Sequence, residues 1–224
     1  MEHLPVYAYI TFGATLVIAI GLFYKATHYS KLFLLLLLVW VTVQSALGIA
    51  GFYSDPNTMT VRFPLLVLPP LLLLISRFFT KKGRAFIDGL DLPTLTLFHT
   101  IRIPVELVLF WLFVHKSIPE AMTFHGRNFD ILSGITAPFI YYFGFVKRKI
   151  GRRAILAWNM VCLALLLNVV ANALLSLPSR FQQFGFERPN LALGYFPFLL
   201  LPACLVPLVM FASVAAIRQL VKKN

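Results

Sequence analysis

The residues best placed to do chemistry lie in the stretch "LFHTIRIPVELVLFWLF" (97–113), together with the threonine just before it. Thr96, His99, Arg102 and Glu106 follow one another at spacings of three, three and four. On a helix of 3.6 residues per turn that spacing puts all four side chains on one face. The other face is apolar, with Leu97, Ile101, Val108 and Phe110 among its residues. Arg102 and Glu106, one helical turn apart, are expected to pair directly. His99 lies a turn further back. Pro104 removes a backbone donor and leaves a carbonyl near residue 100 without its helical partner. A guanidinium beside a carboxylate can hold an anionic or polar group. A histidine and a glutamate can act as acid and base.

Residues elsewhere could meet this stripe. "GRNFDILSG" (126–134) places Asp130 and Ser133 one turn apart. Asn168 and Asn172 share one face of a later apolar run, and Gln44 and Ser45 sit midway along an earlier one. The candidate ligand-binding set is therefore Gln44, His99, Arg102, Glu106, Asp130, Asn168 and Asn172. The amides have a plainer use, since Asn and Gln hold membrane helices together at roughly 0.6 kcal/mol per hydrogen bond. Asp130 could equally serve a helix N-terminus. Arg102 and Glu106 are harder to explain that way, because a buried ion pair is often no more stabilising than apolar side chains of the same volume.

The elements that carry these residues are set by composition. The 224-residue chain is 59% hydrophobic and only 12% charged, with a mean hydropathy of +0.83. A soluble domain is nearer 45–50% apolar and about 25% charged. Lipid must be part of the solvent. Seven apolar runs, at 6–24, 32–53, 63–79, 95–115, 129–146, 155–177 and 193–220, approach the ~20 residues a helix needs to cross the hydrocarbon core. No alternating strand pattern is present. The expected fold is an all-α, polytopic integral membrane protein, one seven-helix domain over 1–224. A charge facing lipid at mid-bilayer costs at least ~2.5–3.5 kcal/mol, so the 96–106 stripe should point into the bundle or a wet cavity.

Most of the 20 basic residues fall in alternate connections. Lys25 and Lys31, then Arg77, Lys81, Lys82 and Arg84, then Lys147, Arg148, Lys149, Arg152 and Arg153, and finally Arg218, Lys222 and Lys223 all belong to one side. By the positive-inside rule that side is cytoplasmic and the N-terminus is outside. The protein belongs in a bacterial inner membrane or a plasma membrane. The net charge of +12 follows from this asymmetry, and the basic residues sit where anionic head groups hold them, so the expected partner is the bilayer and not nucleic acid. No cleaved leader is expected, because the first run lacks a preceding Lys or Arg and is long enough to span.

"FPLLVLP" (63–69) opens the third run and "FPFLLLP" (196–202) lies early in the seventh, both running outside to inside. At an offset of 124 Gln44 falls opposite Asn168, and the increase to 133 at the heptapeptides fits a longer loop between the sixth and seventh runs. The pattern implies two parallel three-helix units, 1–80 and 127–224, joined by the fourth helix at 93–115, a 3+1+3 plan. The plan resembles the layout of SWEET-type sugar transporters, which also have seven helices and an outside N-terminus. Their Pro-Gln pair is missing from both units here, so the resemblance is one of layout and implies no residue assignments. Pro69, Pro70, Pro202 and Pro207 should kink their helices and free carbonyls.

No cofactor is expected. Haem held by two histidines would need a partner for His99 at equal depth, and His28 lies at a helix end. No span carries an interior lysine for a retinal-type Schiff base. Cys162 and Cys204 read as small apolar residues. His3, His115 and His125 lie on the outer side and form the only metal candidate. The loop "RFQQFGFERPN" (180–190) could lie on the outer membrane surface. The leading functional expectation is transport or binding of a small polar or anionic solute in an outward-facing pocket, with Arg102 holding the solute and Glu106 as counter-charge. The rivals are an intramembrane enzyme acting on a lipid-like substrate through His99 and Glu106, and a sensor that binds without transport.

Overall fold

The computed structural model describes residues 4–222, and His3 and Lys223 lie outside them. Every regular element among those residues is helical. Six helices are long and apolar enough to cross a membrane: Val6–Ala26, Lys31–Ile49, Thr58–Phe79, Leu92–Val114, Arg152–Leu175 and Leu201–Val221. A seventh apolar helix, Ile131–Val146, is shorter.

Helix α1 (Val6–Ala26) turns Phe12, Thr15, Ala19, Phe23 and Ala26 inward. Those positions recur at three and four, the stripe a helix needs to face one neighbour. A tight turn with His28 and Tyr29 at positive φ leads to α2 (Lys31–Ile49), where the Ser30 hydroxyl accepts from the Phe33 amide. α2 buries only Gln44 and Gly48, so it is peripheral. The third apolar run (63–79) becomes α4 (Pro64–Phe79), which continues through Pro69 and Pro70 and is preceded by the short α3 (Pro56–Arg62). Thr80 then caps the short amphipathic α5 (Lys81–Asp88). A Cβ on Gly83 would sit 2.2 Å from the Arg77 carbonyl oxygen, so only glycine allows this sharp corner.

The fourth span is not one continuous α-helix. α6 (Leu92–Phe98), capped by Asp91 through the Thr94 amide, passes through a 3₁₀ turn at His99–Ile101 into α7 (Arg102–Val114). The tightening falls one turn before Pro104, which cannot donate to the Thr100 carbonyl. This broken span is central: α6 and α7 pack against α1, α6 also packs against α10, and both pack against α8. α8 (Ile131–Tyr141) contains Pro138 and ends in a π-helical turn at Tyr142–Val146. α9 (Arg152–Leu175) packs along α10 (Val206–Val221), which follows a second π turn at Leu201–Leu205.

The two similar heptapeptides fold differently. Phe63–Pro69 opens a continuous α-helix, whereas Phe196–Pro202 passes through turns into the π turn. Prolines stand at the same two places in both copies, so the difference lies in what precedes them: Phe63 follows α3 in helical backbone, whereas Tyr195 is extended and the chain must turn before helix can start. The seventh apolar run accordingly becomes helical at Leu201, eight residues beyond its first apolar residue at 193.

Candidate functional site

The stripe on the fourth span points inward. His99 is 0% exposed, Arg102 2% and Glu106 1%. Arg102 and Glu106 do not pair with each other, contrary to the i, i+4 expectation. Arg102 Nη1 donates to Asp130 Oδ1 and, at 3.0 Å, to the carbonyl of Cys162. The counter-charge of Arg102 is therefore Asp130. Glu106 instead accepts from Asn128, whose Nδ2 lies 2.6 and 2.7 Å from its two carboxylate oxygens and 3.0 Å from the Met122 carbonyl. The physical reason is reach. An exposed i, i+4 pair stabilises a helix by about 0.3–0.5 kcal/mol, and that is easily outweighed by buried partners that satisfy each side chain separately.

Asn128 joins the two halves. Its Oδ1 accepts from the Asp130 amide at 2.9 Å while its Nδ2 serves Glu106. Asp130 stands at the N-cap of α8, but its carboxylate makes no cap hydrogen bond and turns to Arg102. The result is one buried chain of contacts, Cys162 carbonyl–Arg102–Asp130–Asn128–Glu106, that ties α7, the start of α8 and α9. Gly134 permits the approach, since a Cβ there would meet Ile103 Cγ1 at 2.7 Å and the Ile103 amide nitrogen at 3.0 Å.

Asn168 is exposed and donates to the Arg127 carbonyl at 2.7 Å, next to Asn128. Asn172 is buried and donates to the Asn168 carbonyl at 3.0 Å. These two asparagines brace the segment that carries Asn128 and Asp130. Gln44 is not part of the centre. It is buried in α2, where it accepts from the Tyr53 hydroxyl at 2.8 Å. His99 and Glu106 share no hydrogen bond; the His99 ring stands perpendicular to Trp158 with centroids 5.2 Å apart. Asn128 went unrecognised as a site residue in the sequence. The signal was the Asn-x-Asp spacing before α8, because an Asn side chain readily accepts from the backbone amide two residues on.

The centre leaves donors unused. Arg102 Nε and Nη2 and both ring nitrogens of His99 are buried without a hydrogen-bond partner among the described residues. Buried polar groups nearly always have partners, so this edge of the guanidinium is the open position of the centre. Two cavities elsewhere among the described residues are lined by other side chains. One is apolar and lies between α2, α4 and α10; the other lies beside His115, Glu187 and Arg188.

Among the described residues no group of three His, Cys, Asp or Glu side chains could hold a metal ion. His115 donates to the Trp111 carbonyl, and His125 stacks on Phe110. Both cysteines are free and buried.

The family described as a domain of unknown function, DUF8737, matches residues 61–221. No curated protein and no solved structure matches the chain. The matched segment contains the whole Arg102–Asp130–Asn128–Glu106 centre and its asparagine braces, and excludes α1, α2 and Gln44. By a match over most of its length, the chain belongs to the DUF8737 family.

Proposed function

We propose that this protein spans a bacterial inner membrane or a plasma membrane and binds, and by that route moves, a small solute rich in hydrogen-bond acceptors at the Arg102 centre. One observation carries the reading: a guanidinium only 2% exposed keeps Nε and Nη2 free while its remaining nitrogen is neutralised by Asp130. Retaining an incompletely bonded arginine at such depth is costly unless an acceptor occupies it for part of a working cycle. With its charge already balanced by Asp130, the site favours carbonyl, hydroxyl or singly charged carboxylate groups over multiply charged anions.

Seven crossings, with the N-terminus outside, place the basic connections after α1, α4 and α8 and the end of α10 in the cytoplasm. The helix over 93–115 would then link units 1–80 and 127–224. Support for that plan comes from α6 and α7, which pack on α1 to one side and α8 to the other. The centre is closed, so solute entry requires movement. The 3₁₀ turn at His99–Ile101 and the π turns at Tyr142–Val146 and Leu201–Leu205 are the natural places to bend.

Thermal stability of the purified protein against a panel of acetate, lactate, neutral amino acids and monosaccharides tests the reading. At least one class should raise the melting temperature, and counterflow of that solute should occur in proteoliposomes. The doubly apolar variant Arg102→Met/Asp130→Leu should fold and lose both responses. A panel without effect on the parent protein, or responses intact in the double variant, would overturn the assignment.

A further inference from the structure

α2 and α4 are separated in the chain only by the short α3 yet make little contact. α2 leans on α1 and on the π turn at Leu201–Leu205, while α4 packs on α5 and α10. Between them lies a cavity of about 480 Å³, a size typical of ligand sites. Its walls are apolar, with Leu36 and Val43 from α2, Pro70 and Leu73 from α4, and Pro207 and Leu208 from α10. Trp40 crosses it and donates through Nε1 to the Ala203 carbonyl at 2.8 Å. Pro207, four residues on, has no N–H to give that carbonyl, so the indole supplies the missing donor.

One end of the cavity differs. Arg77, in the last turn of α4, and Lys82, at the start of α5, line it beside Ser30. Both cations are exposed, and neither forms an ion pair among the described residues. Gly83 fixes their spacing, because no side chain fits where α5 turns back over Arg77. Phe86 of α5 stacks on Phe33 of α2 and closes the wall beneath them. Two unneutralised cations thus stand over an apolar slot on the basic end of the molecule. Leu36 and Leu73 at its edges are 43% and 45% exposed, so the slot opens sideways toward the surroundings of the helices.

We infer that the α2–α4–α10 groove is a binding site for an anionic phospholipid, with an acyl chain against Trp40 and the prolines and the phosphate between Arg77 and Lys82. Charge complementarity selects the occupant: two cations at a helix end attract anionic head groups, and an apolar slot open to the bilayer takes a chain. The site is separate from the Arg102 centre and does not depend on its reading.

Trp40 is the reporter. The chain has three tryptophans, so Trp111→Phe/Trp158→Phe leaves it alone. In phosphatidylcholine vesicles containing a minor fraction of phosphatidylglycerol, bromine is placed on the chains of one lipid or the other. Brominated phosphatidylglycerol should quench Trp40 more than an equal mole fraction of brominated phosphatidylcholine, with roughly tenfold higher apparent affinity. Arg77→Gln/Lys82→Gln should remove that preference and leave quenching by phosphatidylcholine unchanged. Native mass spectrometry of the chain with all its tryptophans gives the same comparison through retained lipid. Equal quenching by both lipids, a preference that survives the double variant, or a groove filled by a second copy in a lipid-insensitive dimer would each overturn the inference.

Discussion

At the scale of residues, the buried centre is a charge problem solved by tertiary partners. Arg102 is compensated by Asp130, and Glu106 by the two contacts from Asn128. Removing one member of a buried pair strands the other and costs about 3–5 kcal/mol, whereas removing both often costs little. Asp130→Asn should therefore lower the melting temperature of the purified protein sharply, by the equivalent of about 3 kcal/mol. Arg102→Met/Asp130→Leu should recover most of that loss. A double variant as unstable as Asp130→Asn alone would mean that the pair is not the unit the geometry indicates. The inward direction of Arg102 and Glu106 was legible from the one-sided stripe, because the price of a charge in lipid leaves no other choice. Their partners were not legible. Sequence spacing reports neighbours on one helix, while Asp130 and Asn128 reach the stripe only because Gly134 lets α8 come close.

At the scale of elements, apolar run lengths located the helices well, and prolines blurred their ends. The fourth span is the clearest case. Its hydropathy reads as one helix, but α6 and α7 are separated by the 3₁₀ turn that holds His99 and leads directly into Arg102. Hydropathy averages over such a break, whereas Pro104 marks it. The FPLLVLP and FPFLLLP heptapeptides make the converse point. Similar residues, with prolines at the same two places, became a continuous helix in α4 and a π turn before α10, because α3 delivers Phe63 in helical backbone whereas Tyr195 enters the second copy extended. The contact between α8 and the broken span rests on Gly134. A methyl there must push against the Ile103 amide nitrogen, which is backbone and cannot rotate away. Gly134→Ala should separate α8 from α7, weaken the Arg102–Asp130 contact and destabilise the protein by about 1–3 kcal/mol through overpacking. Gly13→Ala, inside α1 where a Cβ meets nothing within 4 Å, is the control and should hold or slightly raise the melting temperature. Equal effects of the two substitutions would show that close helix approach at Gly134 is not required.

At the scale of the whole molecule, polar contacts gather at two places, and the basic end is the more firmly tied. Arg152 at the start of α9 donates to the carbonyls of Gln219, Leu220 and Lys222, satisfying the open end of α10. Gln219 donates to the Ile87 and Leu90 carbonyls, and His28 Nε2 lies 2.8 Å from the Gly89 carbonyl. Asp88 completes the latch, with Arg218 Nε at 2.8 Å and Lys222 Nζ at 2.8 Å. On the proposed orientation this latch lies in the cytoplasm, so bending at the 3₁₀ and π turns would open the Arg102 centre away from it. Hydrogen bonds from Arg218 and then Lys222 hold the Asp88 carboxyl below its ordinary range. A carboxylate depressed in the folded state adds stability above its unfolded pKa of about 4, and that contribution disappears as pH falls through the lower folded value. The wild-type protein should therefore melt above Asp88→Asn at pH 7, and the two should converge as the pH is taken from 5 to 3. High salt should narrow the gap at pH 7, because the pair is partly exposed. A gap that stays constant from pH 7 to pH 3 would show that the ionised carboxylate is not what fastens α10 to the α5–α6 connection.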